Sequence, residues 1–278
     1  TSACLSLSIC FSEGREESTV LEMKNVSGGY GRKQVLYNID TAFESSRITS
    51  IIGKNGCGKS TLLQMCCGLL TPSEGSITID GVNIASIKHA DLAKKISYLS
   101  QSHSAGSITV RSLVSHGRFP YLGYPRKYSS EDKRKIADAM ELAEVTDIAD
   151  KYANELSGGQ LQRAYIAMLL AQDTDIMLLD EPATYLDMSS QLELMELAVK
   201  LKNAGKTIVM VVHDINTALI YSDKIIAMDS GSIIEPGSTR HISKSEAVQD
   251  SLGIEIIYDE NVKQYFFRKA AKEGMTVK

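Results

Sequence analysis

A glycine-rich segment at residues 53–61 combines residue types that suit phosphate binding. It reads Gly53-Lys54-Asn55-Gly56-Cys57-Gly58-Lys59-Ser60-Thr61. Glycines let successive backbone N–H groups curve around a phosphate, and the start of a following helix adds partial positive charge. The Lys59 ammonium can reach the β- and γ-phosphates of a nucleotide, and the Ser60 hydroxyl can ligate Mg²⁺. The pattern G-x-x-x-x-G-K-[ST] between a strand and a helix therefore predicts a nucleoside triphosphate site.

Two adjacent carboxylates end an apolar run at residues 176–181, Ile-Met-Leu-Leu-Asp-Glu. Successive residues at a strand end point in different directions, so the two acids can divide the work. We expect Asp180 to belong to the Mg²⁺ shell and Glu181 to orient or deprotonate the attacking water. An acidic strand end in solvent explains an isolated pair equally well. The phosphate loop in the same chain favours the catalytic interpretation.

A third segment, Leu156-Ser157-Gly158-Gly159-Gln160, precedes an apolar helical pattern. Ser157 and Gln160 fit a capping box at the start of that helix. The box does not explain two glycines in the first turn, where each costs about 0.5–1 kcal/mol relative to alanine. Bare backbone at a helix start suits the close approach of an anion. The chain therefore has two candidate phosphate-binding helix starts for one nucleotide, which indicates that two chains share each nucleotide.

The segments that must position these residues alternate between strand and helix patterns. Strands are predicted at 20–26, 34–43, 47–52, 75–81, 95–101, 175–180, 207–213, 224–228 and 231–236, with a turn at the glycines 28, 29 and 31. Helices are predicted at 60–70, 129–145, 161–171 and 188–203. Continuous apolar strands interleaved with helices indicate an α/β fold with a largely parallel sheet. The scarcity of strand patterns at about 102–172 indicates a helical insertion.

The length and composition of the chain limit the classes of protein to which it can belong. The chain has 278 residues and a net charge of −4, so we expect one large domain or two small ones and no nucleic-acid partner. We find no apolar run of about 18 residues that would cross a membrane. Five cysteines without metal-ligand spacing argue against a disulfide framework or zinc site and favour a reducing compartment. We expect residues 1–19 to be a tail or remnant outside the fold.

Together these motifs resemble the ATP-binding subunits of ATP-binding-cassette (ABC) transporters over essentially all of residues 20–260. Residues 53–61 match the family's Walker A motif, 177–181 its Walker B motif and 156–160 its LSGGQ signature, which is the most family-specific of the three. The resemblance implies an α/β fold of the P-loop NTPase class, an ABC-type nucleotide-binding domain. This has a mostly parallel core sheet, an antiparallel β subdomain and a helical subdomain.

Shorter matches add single residues to the implied site. Gln101 matches the Q-loop, which makes it a candidate catalytic residue and Mg²⁺ ligand. His213 matches the switch histidine, a sensor of the γ-phosphate, and Tyr30 matches the aromatic residue that stacks on adenine. Asp187 ends the D-loop match at 183–187, and we expect it both to cap the following helix and to touch the partner chain.

Two positions depart from the family's usual residues. Cys57 stands where Ala or Ser is common, and Ala183 replaces a commoner Thr or Ser. Neither position must bind phosphate or metal through its side chain. Cys57 lies beside Lys59 and before a helix start, and both features favour a reactive thiolate. The simpler interpretation is a small side chain that fills space.

The resemblance also implies partners and a location. ATP and Mg²⁺ would lie between Walker A of one chain and the signature of a second copy, in a head-to-tail dimer. The helical insertion would dock on membrane-embedded permease subunits, which receive cargo from a substrate-binding protein. The subunit would then be peripheral at the cytoplasmic face of the cell membrane. We expect the ATP-binding domain to span 20–265 and a C-terminal tail to span 266–278.

Three further segments indicate the transported cargo, and other features weigh against competing functions. Segments 117–121, 181–197 and 213–228 resemble importers of ferric siderophores, haem and cobalamin, so we expect an ATPase that energises uptake of a ferric siderophore or related metal chelate. The alternatives are an ABC ATPase subunit for another substrate, including an exporter, a soluble non-transport ABC ATPase, and a small-molecule kinase. A single cassette with a short insertion argues against the soluble ABC ATPase, and the signature with His213 argues against the kinase.

Overall fold

The structure, a computed structural model, describes residues 18–101, 106–260, 262 and 264–270. The strands are β1 (Thr19–Tyr30), β2 (Lys33–Glu44), β3 (Ile48–Gly53), β4 (Glu74–Ile79), β5 (Val82–Asn83), β6 (Ile96–Leu99), β7 (Ile176–Asp180), β8 (Thr207–Val211), β9 (Lys224–Asp229), β10 (Ser232–Gly237), β11 (Ile254–Asp259) and β12 (Gln264–Lys269). The helices are α1 (Lys59–Cys66), α2 (His89–Leu92), α3 (Val110–Ser115), α4 (Ser130–Leu142), α5 (Gly158–Gln172), α6 (Met188–Asn203), α7 (Ile215–Tyr221), α8 (Thr239–Ile242) and α9 (Glu246–Leu252). This alternation confirms the predicted α/β class.

A six-stranded core sheet in the order β10-β9-β3-β8-β7-β6 organises the domain. All neighbouring strands from β9 to β6 are parallel, and β10 pairs antiparallel with β9. Strands β7 and β8 are buried at every position, as their continuous apolar sequences predict. Because the carboxyl ends of parallel strands lie at one edge, the residues that follow β3, β6, β7 and β8 meet there.

A second, antiparallel sheet in the order β2-β1-β4-β5 covers one side of the domain. The glycines at 28 and 29 lie within β1, so the predicted turn at these two positions is wrong, and the chain turns at Gly31 with φ 58°. A Cβ atom on Gly29 would lie 2.1 Å from the Lys33 carbonyl oxygen. Glycine is therefore needed for close strand approach rather than for a turn.

A helical unit of α3, α4 and α5 has its own apolar cluster. The cluster includes Val110, Leu113, Ile136, Met140, Ala164 and Ala167. Ser129 and Asp132 form a capping box at the start of α4, which lies within the helix predicted at 129–145. The first residues of the predicted insertion, 102–105, lie outside the described residues. Within the described ranges, no helix combines the length and apolar character needed to cross a bilayer.

A C-terminal hairpin, β11–β12, was not predicted from the sequence. Its strands pair from Ile254 opposite Lys269 to Asp259 opposite Gln264. One face packs Ile256 and Phe267 against the core-sheet cluster of α6 and β8. This packing carries regular structure past the predicted domain end at 265 to Lys269, because alternate residues of a short strand can be buried without a long apolar run. The predicted tails lie largely outside the described residues, at 1–17 and 271–278.

A buried ion pair joins the segment after α3 to the start of α4. Arg118 Nε donates to Asp132 Oδ1 at 2.8 Å, and Arg118 Nη1 donates to the Ala171 carbonyl at 3.0 Å. The two side chains are only 7% and 10% exposed. Burial alone would raise the pKa of Asp132, but hydrogen bonds from Ser129 and Arg118 hold it below its ordinary value. Asp132 therefore stays charged and depends on Arg118.

Replacing Arg118 with alanine should lower the free energy of unfolding by about 3–5 kcal/mol, because it leaves a buried carboxylate without its cation. Urea unfolding followed by circular dichroism measures the change. Arg111→Ala is the matched control. It removes an exposed pair with Asp150 at 3.4 Å, so its change should be within about 1 kcal/mol. Similar, small effects of both variants would contradict a structural role for the buried pair.

Candidate active site

The phosphate loop joins β3 to α1 at the carboxyl edge of the core sheet. Gly53 and Gly58 have φ values of 151° and 105°, which side-chain-bearing residues rarely adopt. A Cβ atom on Gly53 would lie 2.2 Å from the Met228 carbonyl oxygen, and one on Gly58 would lie 2.7 Å from Leu36. Gly58 is also the N-cap of α1, and its helix start has no side-chain cap. The backbone N–H groups of this turn are therefore oriented for an anion.

Lys59 begins α1 and is only 5% exposed. Its ammonium group donates to the Gly53 carbonyl at 2.8 Å and to the Lys54 carbonyl at 3.0 Å. The charge thus sits inside the curve of the loop and holds the loop in shape. A phosphate bound at the same place would face a cation whose position is already set.

An open cleft of about 350 Å³ lies over the loop, a volume in the range of small-molecule sites. It is lined by Val35, Asn55, Gly56, Gly58, Lys59, Ser60, Thr61, Gln101, Glu181 and His213. Nine of these ten residues belong to the predicted site, and the structure brings them together from distant parts of the chain. Val35 on β2 was not predicted, because a single apolar strand residue has no motif of its own. Asp180 lies behind this lining.

Asp180 ends β7 and is only 2% exposed. Its Oδ1 accepts from the Ser60 hydroxyl at 3.1 Å, and its Oδ2 accepts from the Tyr98 hydroxyl at 3.3 Å. Burial raises the pKa of this carboxyl, and the hydrogen bond from Ser60 opposes that shift. Among the described residues, no basic side chain pairs with Asp180. A buried carboxylate next to a hydroxyl is an oxygen donor set that fits Mg²⁺.

Glu181 contacts both other predicted catalytic residues. Gln101 Nε2 donates to Glu181 Oε2 at 2.6 Å, and His213 Nε2 lies 2.6 Å from Glu181 Oε1. The Thr184 hydroxyl donates to the same carboxylate at 3.4 Å. Glu181 has a left-handed backbone with φ 54°, an uncommon conformation for a non-glycine residue that the surrounding contacts must maintain. The Gln101 and His213 side chains thus both contact the Glu181 carboxylate, and all three residues line the cleft.

Tyr30 lies beside the cleft rather than in its lining. Its side chain is 47% exposed, which leaves surface available for stacking. The Tyr30 hydroxyl donates to Gln64 Oε1 at 2.8 Å and accepts from the Thr61 hydroxyl at 3.5 Å. These bonds connect the aromatic ring to α1. Adenine stacking by Tyr30 remains a prediction.

The signature segment lies outside the cleft lining of its own chain. Ser157 and Gln160 form the predicted capping box at the start of α5. A Cβ atom on Gly158 would lie 3.3 Å from the Tyr185 side chain, so this glycine allows close packing of the D-loop segment. Asp187 Oδ1 accepts from the Ser190 backbone N–H at 2.8 Å, which confirms its capping of α6. A single chain therefore separates its two candidate phosphate-binding helix starts.

Cys57 lies in the phosphate loop and is only 5% exposed. Burial raises the pKa of its thiol above the ordinary value, although the nearby Lys59 opposes the shift. These surroundings do not favour a thiolate. The side chain belongs to the apolar cluster beneath the loop, which supports the space-filling interpretation.

Comparisons with known proteins agree with this geometry. The family model described as ABC transporter matches residues 36–184. The petrobactin import ATP-binding protein YclP of Bacillus subtilis is 41% identical, over 89% of this chain and 100% of that protein. The ferric enterobactin transport ATP-binding protein FepC of Escherichia coli is 40% identical, over 81% of this chain and 84% of that protein.

Among solved structures, the dimeric ABC transporter cassette MJ0796 superimposes with a TM-score of 0.71. The two chains are 31% identical, and the match covers 79% of this chain and 99% of the cassette. The family match spans more than half of the chain, and the relatives extend the similarity over most of the remainder. This chain belongs to the ABC transporter family, as an ATP-binding subunit with ATPase activity.

Proposed function

We propose that this chain is the ATP-hydrolysing subunit of an ABC importer for a ferric siderophore or a related metal chelate. The observation that carries the enzymatic part is the convergence of Lys59, Glu181 and His213 on one cleft over a helix start. The cargo assignment is supported by YclP and FepC, whose names specify petrobactin import and ferric enterobactin transport. The cargo itself need not touch this subunit.

The residues in and beside the cleft have different roles in the transfer of a phosphoryl group from ATP to water. Lys59 and the N–H groups of the loop bind the β- and γ-phosphates of ATP, and Tyr30 stacks on the adenine. Ser60, Asp180 and Gln101 would hold Mg²⁺, which neutralises phosphate charge when it is bound. Glu181 orients the attacking water and accepts its proton, a contribution of about 10²–10⁴-fold.

The contacts of Glu181 indicate how hydrolysis depends on binding. Its two carboxylate oxygens are bonded to Gln101 and His213 at 2.6 Å each. A γ-phosphate in the cleft offers His213 a competing anionic partner. Loss of the histidine contact leaves a carboxylate oxygen available to the attacking water. The Glu181 side chain therefore couples ATP binding to ATP hydrolysis.

The second half of the site comes from another copy of the chain. The signature, Ser157 to Gln160, does not line the cleft of its own chain. In a head-to-tail dimer, Ser157 and Gly159 of one copy face the γ-phosphate held by the other. The dimeric form of the MJ0796 cassette supports this assembly. Asp187 directly follows Tyr185 and Leu186, which lie against the signature glycines Gly158 and Gly159, so it can contact the second copy.

The dimer acts as part of a larger complex at the cytoplasmic face of the cell membrane. Its helical unit docks on membrane-embedded permease subunits, and a substrate-binding protein delivers the chelate to them. The import names of the relatives support this arrangement. ATP binding and hydrolysis then drive movement of the permease through the docked helices.

Replacing Lys59 with alanine should lower ATP affinity at least about 10-fold, because the phosphates lose a charge-assisted partner. Isothermal titration calorimetry measures the change directly. Lys95→Ala is a suitable control, since Lys95 pairs with Asp80 on the surface at 2.7 Å. Equal ATP affinities for the Lys59 variant and the parent would contradict the assigned role.

Replacing Glu181 with glutamine should preserve ATP binding and slow hydrolysis about 10²-fold or more, because an amide cannot accept the proton. Bound ATP should then hold two copies together, which light scattering detects as a dimer that forms only with ATP. Glu196→Gln, at an exposed position of α6, should leave both properties unchanged. A Glu181 variant that stays monomeric at saturating ATP and high protein concentration would argue against the shared site.

The transport assignment is tested on the complete complex, purified from membranes with its permease subunits and reconstituted. A binding protein loaded with a ferric siderophore should stimulate ATP hydrolysis, and the unloaded protein should do so less. The same complex carrying Glu181→Gln controls for contaminating ATPases. Failure of the chain to co-purify with any permease would refute the importer, and stimulation by an unrelated cargo alone would refute the chelate.

A further inference from the structure

One hydroxyl from outside the cleft lining reaches Asp180, the proposed metal ligand. The Tyr98 hydroxyl donates to Asp180 Oδ2 at 3.3 Å. Tyr98 is not among the residues that line the cleft.

The fold holds the Tyr98 side chain in place. Tyr98 lies on β6 opposite Leu178 of β7, and its ring packs against the apolar cluster that includes Leu178. From the neighbouring helix α1, the Ser60 hydroxyl reaches the other oxygen of Asp180, Oδ1, at 3.1 Å. Strand β6 and helix α1 thus each supply one hydroxyl to the same carboxylate.

Asp180 needs such support because it is a buried anion without a basic partner among the described residues. Each carboxylate oxygen accepts one hydroxyl, from Ser60 on Oδ1 and from Tyr98 on Oδ2. Ser60 would itself ligate the metal. Tyr98 does not line the cleft, and its hydroxyl can hold the carboxylate in a fixed orientation from outside the nucleotide site. Outer partners of metal ligands typically contribute 10–100-fold to metal affinity.

We propose that Tyr98 is a positioning residue that orients Asp180 toward Mg²⁺. The inference rests on the proposed function, since it assigns Asp180 to the metal. A structural role alone, in which the hydroxyl only satisfies a buried donor, would change stability but not metal dependence.

Tyr98→Phe tests the positioning role, because it keeps the ring and removes only the hydroxyl. Binding of a fluorescent ATP analogue is measured in EDTA and then during a Mg²⁺ titration. We expect unchanged affinity in EDTA and a Mg²⁺ concentration for half-maximal effect that rises about 10-fold. Tyr128→Phe is the matched control. It removes a tyrosine hydroxyl that donates to the Ser115 carbonyl at 3.3 Å, away from the site.

A Tyr98→Phe titration that matches the parent, or a change limited to the thermal unfolding midpoint, would overturn the positioning role. If the parent itself bound the nucleotide without any response to Mg²⁺, the proposed function would fail instead.

Discussion

The parallel pairing of β3, β6, β7 and β8 is the constraint on which the site depends. Hydrogen bonding between parallel strands brings their carboxyl ends to one edge of the sheet. The phosphate loop, Gln101, Glu181 and His213 follow these four ends and so meet within one cleft. No pair of these segments is close in sequence. The packing of helices on both faces keeps the strands buried, and burial in turn keeps the edge rigid.

Two neighbouring carboxylates show how one strand end can supply two different chemical groups. Asp180 is the last residue of β7, faces the interior and is balanced by hydroxyls from Ser60 and Tyr98. Glu181 leaves the strand with a left-handed backbone, which turns its side chain to the cleft and to His213. The acid behind the cleft lining suits a metal ion, and the acid that lines the cleft suits water. The backbone conformation of one residue separates the two roles.

The helical unit is attached to the core sheet by polar contacts as well as by apolar packing. Gln172 at the end of α5 donates to the carbonyls of Ala93 and Ile96 at 2.7 and 3.2 Å. Asp173, the next residue, accepts from Lys135 and Lys206 at 2.7 and 3.0 Å. These contacts lie at the far end of α5 from the signature. At that other end Ser157, Gly158 and Gln160 are exposed, although Gln162, further along the helix, donates to the Pro182 carbonyl at 2.8 Å.

Local chemistry in the sequence determined the phosphate loop, the capping boxes of α4 and α5, and helix α6 at its predicted limits. In each case the deciding interactions join residues only a few positions apart. Only the tertiary structure decided the places of Tyr98, Val35 and the β11–β12 hairpin, and the burial that raises the pKa of the Cys57 thiol. These features depend on burial and on side chains from distant segments. A single sequence gives little information about contacts between distant segments. A strand residue that faces the site can have the same residue type as one that faces the core.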